Sequence, residues 1–321
     1  MTHDLSGLHP VIAELLSRRP SVAAPALADL SVDEARAMAS AMTPDIPSPP
    51  VGEVQDIEIE AGAPPLTIRH YAPEGGGPSP ICVFLHGGGW VLHELEAHDA
   101  MVRALCRASG WRFVSVNYRR APEHKFPALA EDCYTALCWT ARNAGALGSD
   151  GTRLAICGDS AGGNLAAATA LLSARRNGPA LEAQILFYPA LDPACESASF
   201  ERYGEGYVLS KTDMKWFWAQ YLRTPQDAED GLACPFRAPD LHLMPRTLTI
   251  TAEFDPLKDE GMLFAKTLSD NAVQSEAICV EGVTHGFASL PGLLEPADRS
   301  IDAAAAFLNE TPAPDRPGAA R

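Results

Sequence analysis

The feature that most constrains this chain is the alternation of strand-like and helix-like segments after residue 51. Short runs rich in β-branched and aromatic residues recur, and a helical pattern or a longer insertion separates each from the next. They lie at residues 81–89, 112–119, 153–160, 183–190, 246–256 and 276–286. Such alternation predicts βαβ units and a mainly parallel sheet flanked by helices, an α/β fold. Two earlier runs, residues 54–60 and 66–73, alternate at period two, which favours an antiparallel edge.

The chain of 321 residues is long enough for one large α/β domain. We predict a core of about eight strands over residues 51–191 and 246–310. Residues 1–50 carry two helical patterns, of which the second begins with the capping-box pair Ser31 and Glu34. The remaining parts are an insertion at residues 192–245, with one aromatic-rich helix at 211–222, and a tail at residues 311–321. Long insertions are often lids or binding elements, and the alternative is a surface subdomain that is packed only for stability. We expect the tail to be disordered.

Charge and cysteine content exclude several classes of partner. The chain has 25 basic and 41 acidic residues, a formal charge of −16, which opposes binding to nucleic acid or an anionic membrane surface. Its eight cysteines lack C-x-x-C or zinc-finger spacing, and Cys82, Cys157 and Cys279 fall in apolar runs, which indicates buried thiols. No signal-peptide pattern and no long apolar span occur, so we expect a cytoplasmic protein without a membrane partner.

The stretch GDSAGG, residues 158–163, lies between a strand-like and a helix-like segment. In open α/β sheets, ligands bind beyond the carboxyl ends of the strands. G-x-S-x-G in that context is the pattern of a nucleophile elbow, which presents Ser160 at the edge of the sheet beside a helix N-terminus. The alternative is that Ser160 is an ordinary helix N-cap.

Three consecutive glycines, residues 87–89, follow His86 at the end of another strand-like run. Glycines lose much backbone entropy on folding, so a loop of three indicates a compensating role. Backbone N–H groups that stabilise a developing alkoxide, an oxyanion hole, are one such role. A plain glycine-rich turn and a phosphate-binding loop are the alternatives, although neither known phosphate-loop motif is present. We expect His86 to hold the loop by a hydrogen bond.

An acid and a base follow the last two strands of the predicted core. Asp255 comes directly after one strand, and His285 follows the next, in GVTHGF. Glu253 is a weaker candidate for the acid, and Asp259 and Glu260 fit charges at a helix N-terminus better. A serine nucleophile needs a base, and the base needs a carboxylate that fixes its tautomer. The chain order Ser, Asp, His is the one used on α/β-hydrolase sheets.

These motifs together resemble the bacterial hormone-sensitive-lipase-type (family IV) esterases of the α/β-hydrolase superfamily. The matching stretches are HGGGW, YRRAPEHKFPA, GDSAGGNLAA, DPLKDEG and HGF, in the family's order, over about residues 50–310. The resemblance implies an α/β-hydrolase fold with Ser160 as nucleophile, Asp255 as acid and His285 as base. It also implies that oxyanion N–H groups come from Gly88, Gly89 and Ala161.

The same resemblance implies a serine carboxylesterase for short-chain acyl or aryl esters that works through an acyl-enzyme, without metal or cofactor. The segments at residues 1–50 and 192–245 would cap a pocket for the small-molecule ester. Six aromatic side chains are candidates to line this pocket, with ordinary packing as the alternative for each: Trp90, Tyr188, Tyr207, Trp216, Trp218 and Phe287. A homodimer through the edge strand near residues 276–281 is a further implication.

Two positions depart from the family pattern: His93 stands where glycine is usual, and Arg120 where a hydrophobic residue is usual. His93 lies near the expected pocket mouth. An aryl amidase or deacetylase with the same triad remains an alternative. A non-catalytic small-molecule receptor on this fold is a second alternative, against which the presence of His285 argues. A structural or interaction module would not explain why the catalytic positions are all filled.

Overall fold

The structure, a computed structural model, describes residues 5–17, 26–44, 46–60 and 65–310. Its strands are β1 Glu53–Ile59, β2 Leu66–Ala72, β3 Ser79–Leu85, β4 Arg112–Asn117, β5 Ser149–Asp159, β6 Ala183–Phe187, β7 Arg246–Phe254 and β8 Ser275–Thr284. Its α-helices are α1 Pro10–Ser17, α2 Val32–Met42, α3 Asp99–Ser109, α4 Ala128–Asn143, α5 Ala161–Arg175, α6 Ala198–Tyr203, α7 Lys211–Tyr221, α8 Lys258–Asp270 and α9 Glu295–Asn309. The predicted tail, residues 311–321, lies outside the described residues.

The described strands form one sheet of eight, in the order β1-β2-β4-β3-β5-β6-β7-β8. β2 pairs antiparallel with β1 and β4, and all other neighbours pair in parallel. The predicted mainly parallel sheet with an antiparallel edge is therefore confirmed. Because β3, β5, β7 and β8 run in one direction, the residues after them meet at one edge of the sheet.

The two faces of the sheet are buried by different helices. Along β3, Ile81, Val83 and Leu85 pack with buried residues of α4 and α5. The alternate residues Cys82 and Phe84 pack with buried residues of α3 and α9 on the opposite face. This period-two alternation, with both sets apolar, is what a strand covered on both sides requires.

Strand β8 lies at the outer edge of the sheet and, among the described strands, pairs with β7 alone. Its middle residues are largely exposed. Cys279 is consequently exposed, whereas Cys82 and Cys157 in the central strands are buried. The prediction that Cys279 is buried was wrong because an apolar strand pattern does not reveal whether a helix covers that part of the edge strand.

The helices outside the core begin where the sequence places capping residues. Ser31 opens α2 as predicted, since its N–H donates to Glu34 Oε2 (2.8 Å) and its hydroxyl accepts from the Glu34 N–H (3.3 Å). Ser210 and Asp213 form a second capping box at the start of α7. Two such boxes fix the first turns of α2 and α7.

The insertion at residues 192–245 contains α6, α7 and three short 3₁₀ segments. The sequence predicted only the longer helix, because the six residues of α6 are too few to show a helical period. Backbone oxygens of the insertion accept hydrogen bonds from the core. The Phe126 N–H donates to the Tyr221 oxygen (2.9 Å), and the side-chain amide Nδ2 of Asn164 donates to the Ala233 oxygen (3.0 Å). Within the described ranges, no helix is both long enough and apolar enough to cross a membrane.

Candidate active site

Ser160 lies in the sharp turn between β5 and α5, with φ +54° and ψ −120°. Glycines on both sides make this turn feasible. A Cβ on Gly158 would lie 2.2 Å from the Gly162 oxygen, and a Cβ on Gly162 would lie 1.9 Å from the Leu85 oxygen. Although Ser160 occupies the N-cap position of α5, its side chain makes no capping hydrogen bond. The hydroxyl is therefore directed elsewhere, which the N-cap alternative does not explain.

The structure brings Ser160, His285 and Asp255 together. Ser160 Oγ lies 2.9 Å from His285 Nε2, and His285 Nδ1 lies 2.7 Å from Asp255 Oδ2. The other oxygen of Asp255 accepts a hydrogen bond from the Leu257 N–H (2.9 Å), and the carboxylate is fully buried. The carboxylate can only accept, so the proton of neutral His285 belongs on Nδ1, which leaves the lone pair of Nε2 facing the serine.

The other acidic candidates bind backbone groups elsewhere. Glu253 accepts a hydrogen bond from the Gly282 N–H (2.9 Å), which ties the ends of β7 and β8. Asp259 and Glu260 lie in the first turn of α8, as predicted. They also bind other segments, since the N–H of Ser199 donates to Asp259 and that of Leu191 to Glu260. Burial raises the pKa of Glu260 well above its ordinary value.

The glycine loop has a backbone that glycine favours, with φ +110° at Gly88 and +60° at Gly89. A Cβ on Gly89 would lie 2.1 Å from Phe217 Cδ1 of α7, so the loop and that helix are in close contact. Within the described chain, the N–H groups of Gly88, Gly89 and Ala161 donate to no other backbone oxygen. These N–H groups can therefore donate to a bound oxyanion.

Asp159 connects the serine turn to the glycine loop, a role that the motif alone did not reveal. Its Oδ1 accepts a hydrogen bond from the Gly87 N–H (2.7 Å), and its Oδ2 lies 3.1 Å from His98 Nε2. Burial opposes ionisation of Asp159, but His98 and the Gly87 N–H outweigh it and lower the pKa of Asp159 below its ordinary value. Sequence reasoning missed His98 because no pattern around residues 95–98 signals a contact with residue 159.

His86 is buried beneath the glycine loop. Its ring stacks on Tyr118, with centroids 4.3 Å apart, and its Nδ1 lies 2.9 Å from the Gly87 oxygen. Burial lowers the pKa of His86 to about 3, so the ring is neutral at pH 7. The predicted role of His86 as a hydrogen-bonding residue of the loop is confirmed.

The two departures from the family pattern meet at the turn that follows the glycine loop. His93 belongs to this turn, and Arg120, which follows β4, binds to it. A Cβ on Gly88 would lie 2.8 Å from His93 Cδ2, so the histidine packs against the loop itself. Burial lowers the pKa of His93 to about 4. Arg120 donates from Nη1 to the Leu92 oxygen (3.0 Å) and from Nη2 to Glu94 Oε1 (2.5 Å). His93 therefore contacts the glycine loop directly, whereas Arg120 holds the turn that follows it.

The aromatic residues predicted to line the pocket take part in dense packing. Trp90 lies against Trp218 and Tyr221, with ring centroids 4.4 Å apart in each pair. Tyr188 contacts the ring of His285 edge-on at 4.8 Å. The other contacts are Tyr188 with Phe287, Tyr207 with Tyr203 and Phe254, and Trp216 with Phe217. Contact with a substrate stays a prediction for all of these residues.

A separate open cleft of about 710 Å³ lies beside the start of α3. Its lining includes Arg69, Asp99 and Arg103, whose charges are paired with one another and with neighbouring carboxylates. Ser160, Asp255 and His285 do not line it. Within residues 5–17, 26–44, 46–60 and 65–310, no cluster of three histidine, cysteine or acidic side chains has an arrangement suited to a metal ion.

Comparisons with known proteins agree with this architecture. Residues 82–289 match the model of a protein family whose description is "alpha/beta hydrolase fold". The chain belongs to the α/β-hydrolase family. This α/β hydrolase is 37% identical over 295 residues to the carboxylic ester hydrolase LipN of Mycobacterium tuberculosis, covering 89% of this chain and 78% of the relative. It is 38% identical over 247 residues to an arylesterase of Saccharolobus solfataricus, and the match covers 77% of this chain and 80% of the relative.

Solved esterase structures superpose on the α/β hydrolase along almost its whole length. A hyperthermophilic esterase from the archaeon Pyrobaculum calidifontis has a TM-score of 0.89 at 38% identity, covering 94% of this chain and 98% of that one. A thermostable esterase from Pseudomonas putida has a TM-score of 0.90 at 32% identity, and the match covers 94% of this chain and 97% of that one. The α/β hydrolase is a carboxylic ester hydrolase of the hormone-sensitive-lipase type, and the resemblance seen in its motifs is confirmed.

Proposed function

We propose that this α/β hydrolase is a serine carboxylesterase in which Ser160 is the nucleophile, His285 the general base and Asp255 the acid that orients it. One observation carries the proposal: the continuous contact from Ser160 Oγ to His285 Nε2 (2.9 Å) and from His285 Nδ1 to Asp255 Oδ2 (2.7 Å). A serine hydroxyl becomes nucleophilic when such a base accepts its proton, and the buried carboxylate stabilises the imidazolium that forms.

In the proposed reaction, Ser160 Oγ forms a bond to the ester carbonyl carbon while His285 Nε2 accepts the hydroxyl proton. The resulting oxyanion accepts hydrogen bonds from the N–H groups of Gly88, Gly89 and Ala161. The intermediate collapses, the bond to the alkoxy oxygen breaks, and His285 returns the proton to the departing alcohol. Water then attacks the acyl-enzyme with His285 again accepting a proton, which releases the acid and restores Ser160.

We propose that residues 1–50 and 192–245 form a cap over the acyl and alcohol groups, around the core at 51–191 and 246–310. Contacts on both segments support this. Phe217 of α7 packs on Gly89, and Arg36 of α2 donates from Nε to the Val91 oxygen (2.9 Å). A cap that rests directly on the glycine loop leaves limited room beside Ser160, which favours dissolved esters with short acyl chains over long-chain emulsified lipids.

The experiment that tests the proposal is hydrolysis of p-nitrophenyl esters from acetyl to palmitoyl by wild type and by Ser160→Ala. We expect turnover of the short esters by wild type and loss of nearly all of it in the variant. A variant that keeps the wild-type rate would refute the role of Ser160. Faster turnover of the palmitoyl than of the butyryl ester would refute the short-chain preference while leaving the nucleophile intact.

The aryl amidase or deacetylase alternative shares every residue of this site. A matched pair of substrates separates the two, namely p-nitrophenyl acetate and p-nitroacetanilide, which differ only in the leaving atom. We expect the ester to be hydrolysed far faster. A higher kcat/KM for the anilide would overturn the assignment to esters, and loss of both activities in Ser160→Ala would leave the nucleophile assigned.

We propose a homodimer formed through β8 over residues 276–281. Support comes from the exposed edge of the sheet, where Ile278 is 38% exposed and Cys279 is also exposed. An unpaired edge strand offers a row of backbone donors and acceptors to a second copy. Size-exclusion chromatography with light scattering would show a dimer for wild type and a monomer for Ile278→Arg. Leu263→Arg, at an exposed position of α8, is the matched control.

We propose a cytoplasmic location on the grounds of cysteine chemistry. All eight cysteines of the chain are free thiols in the structure, most of them buried. Free thiols persist in compartments that keep cysteines reduced. Fractionation of the producing cell would place the protein with cytoplasmic markers, and recovery with periplasmic or secreted markers would contradict this location.

A further inference from the structure

Arg36, in the middle of α2, reaches the turn that follows the glycine loop. Its Nε donates to the Val91 oxygen at 2.9 Å, and its Nη2 donates to the Ala121 oxygen at 3.1 Å. Both terminal nitrogens also bind the carboxylate of Glu123, at 2.7 and 2.8 Å. The guanidinium is thus fixed by three separate acceptors, and its side chain is only 19% exposed.

The bond to the Val91 oxygen sets the direction of a second peptide group. In a trans peptide, the carbonyl and the following N–H lie in one plane and point in opposite directions. Holding the Val91 carbonyl therefore directs the Leu92 N–H, which donates to the Gly88 oxygen at 2.9 Å. The Gly88 carbonyl in turn shares its peptide plane with the N–H of Gly89. Two trans peptides thus connect the guanidinium of Arg36 to this N–H.

We propose that Arg36 is a positioning residue for the oxyanion hole, acting through the Val91–Leu92 and Gly88–Gly89 peptide groups. This inference rests on the proposed function, in which the Gly89 N–H donates to the oxyanion. Arg36 orients that N–H, and its charge polarises the chain of hydrogen bonds so that the last donor becomes stronger. Because α2 belongs to the proposed cap, the cap contributes to the chemistry as well as covering it.

The ion pair that anchors Arg36 persists over a wide pH range. The hydrogen bonds of Glu123 raise the pKa of Arg36, and those of Arg36 lower the pKa of Glu123 to about 2. Other charged groups near the guanidinium are Asp33, at 4.0 Å on the same helix, and Glu94 on the loop. The ion pair, and with it the orienting effect, is therefore present in neutral and mildly acidic solution.

Arg120 provides a comparison, because it binds the carbonyl of the residue that follows Val91. It also donates to a backbone oxygen of the turn, that of Leu92 (3.0 Å), and is also paired with a carboxylate, that of Glu94. The peptide that it holds continues to His93, whose N–H makes no hydrogen bond to Gly88 in the described structure. Hydrogen-bonded peptide groups therefore do not connect Arg120 to the oxyanion donors as they connect Arg36, although the two arginines are chemically alike.

The test compares Arg36→Met, Arg36→Lys and Arg120→Met in the full-length protein with p-nitrophenyl butyrate. We expect Arg36→Met to lower kcat by about 10- to 100-fold, with KM nearly unchanged, because the donor matters most in the transition state. Inhibition by a trifluoromethyl ketone, which forms an oxyanion on the serine, should weaken in proportion, while inhibition by butyrate should not. Arg36→Lys should recover part of the loss, and Arg120→Met should stay near wild type.

A wild-type kcat in folded Arg36→Met would overturn the inference, and so would equal losses in Arg36→Met and Arg120→Met. Circular dichroism and thermal melting establish that each variant is folded. If Arg36→Met does not fold, Glu123→Gln replaces it: this change loosens the anchor of Arg36, and an unchanged kcat there would also overturn the inference. A different result would indicate that the proposed function itself is wrong: in that case Ser160→Ala would keep the wild-type rate of ester hydrolysis.

Discussion

The carbonyl oxygen of Leu85, the last residue of β3, lies 1.9 Å from the position that a Cβ on Gly162 would occupy. No side-chain carbon fits at that distance from a backbone oxygen. Because Leu85 leads into the glycine loop and Gly162 follows the nucleophile turn, this contact sets how close the oxyanion donors lie to Ser160. The second glycine of the elbow is thus a requirement of packing between two backbones.

Gly162→Ala is therefore expected to destabilise the protein and abolish its esterase activity, because β3 or α5 has to move to accept the new carbon. Gly145→Ala is the control, since a Cβ there meets no atom within 4 Å. Thermal melting and p-nitrophenyl butyrate hydrolysis measure the two effects. If Gly162→Ala melted at the wild-type temperature with wild-type activity, the close approach of these two backbones would be disproved.

Replacing Asp255 by asparagine removes the charge that holds the tautomer of His285 while preserving the size of the side chain. We expect kcat to fall by about 10³- to 10⁴-fold, in line with the effect of the equivalent change in other serine hydrolases. KM should change little, since Asp255 is fully buried and contacts the imidazole rather than the ester.

Two neighbouring carboxylates serve as controls for the Asp255→Asn change. Glu253→Gln, which alters a contact between the ends of β7 and β8, should retain most of the activity. Asp259→Asn, which alters a contact with Ser199, should do the same. A loss of kcat in Glu253→Gln as large as that in Asp255→Asn would mean that the acid has been assigned to the wrong residue.

The protonation of His93 links the stability of the loop to pH. Burial and the nearby His98 lower the pKa of His93 from the ordinary 6.5 to about 4. Between these values the unfolded chain binds a proton at this position and the folded chain does not. The free energy of unfolding therefore falls as the pH decreases from 6.5 to about 4, and the contribution of neutral His93 is fully present above pH 6.5.

His93→Asn removes this titrating group, so its free energy of unfolding should decrease less than that of wild type between pH 6.5 and 4. Urea unfolding at several pH values measures both slopes. Both proteins retain His86, whose pKa burial lowers to about 3. Parallel curves for the two proteins would contradict the assignment of a lowered pKa to His93.

The strand pattern and the motifs at strand ends were sufficient to predict much of the fold and the grouping of Ser160, Asp255 and His285. This works because parallel strands bring the residues that follow them to one edge, so spacing along the chain translates into proximity. What the sequence could not reveal are contacts between segments that share no pattern. The contact of Arg36 with the Val91 oxygen and that of Asp159 with His98 are of this kind.

The short helix α6 and the exposure of Cys279 were missed for a related reason. Six residues are too few to show a helical period. The sequence pattern of an apolar strand is the same whether or not another element covers that strand. Both depend on neighbours that local patterns do not specify. Tertiary contacts determine α6 and the exposure of Cys279, whereas residues close together in the sequence determine the capping boxes at Ser31 and Ser210.

The proposed catalysis depends on Ser160 as the nucleophile and on His285 as its base. The most direct measurement is labelling of the wild-type protein with a p-nitrophenyl phosphonate, followed by intact-mass and peptide analysis. We expect one phosphonyl group per chain, on the peptide that contains Ser160, with esterase activity lost in proportion to the label and no label in Ser160→Ala. Inhibition of the esterase with the label on another residue would contradict the account.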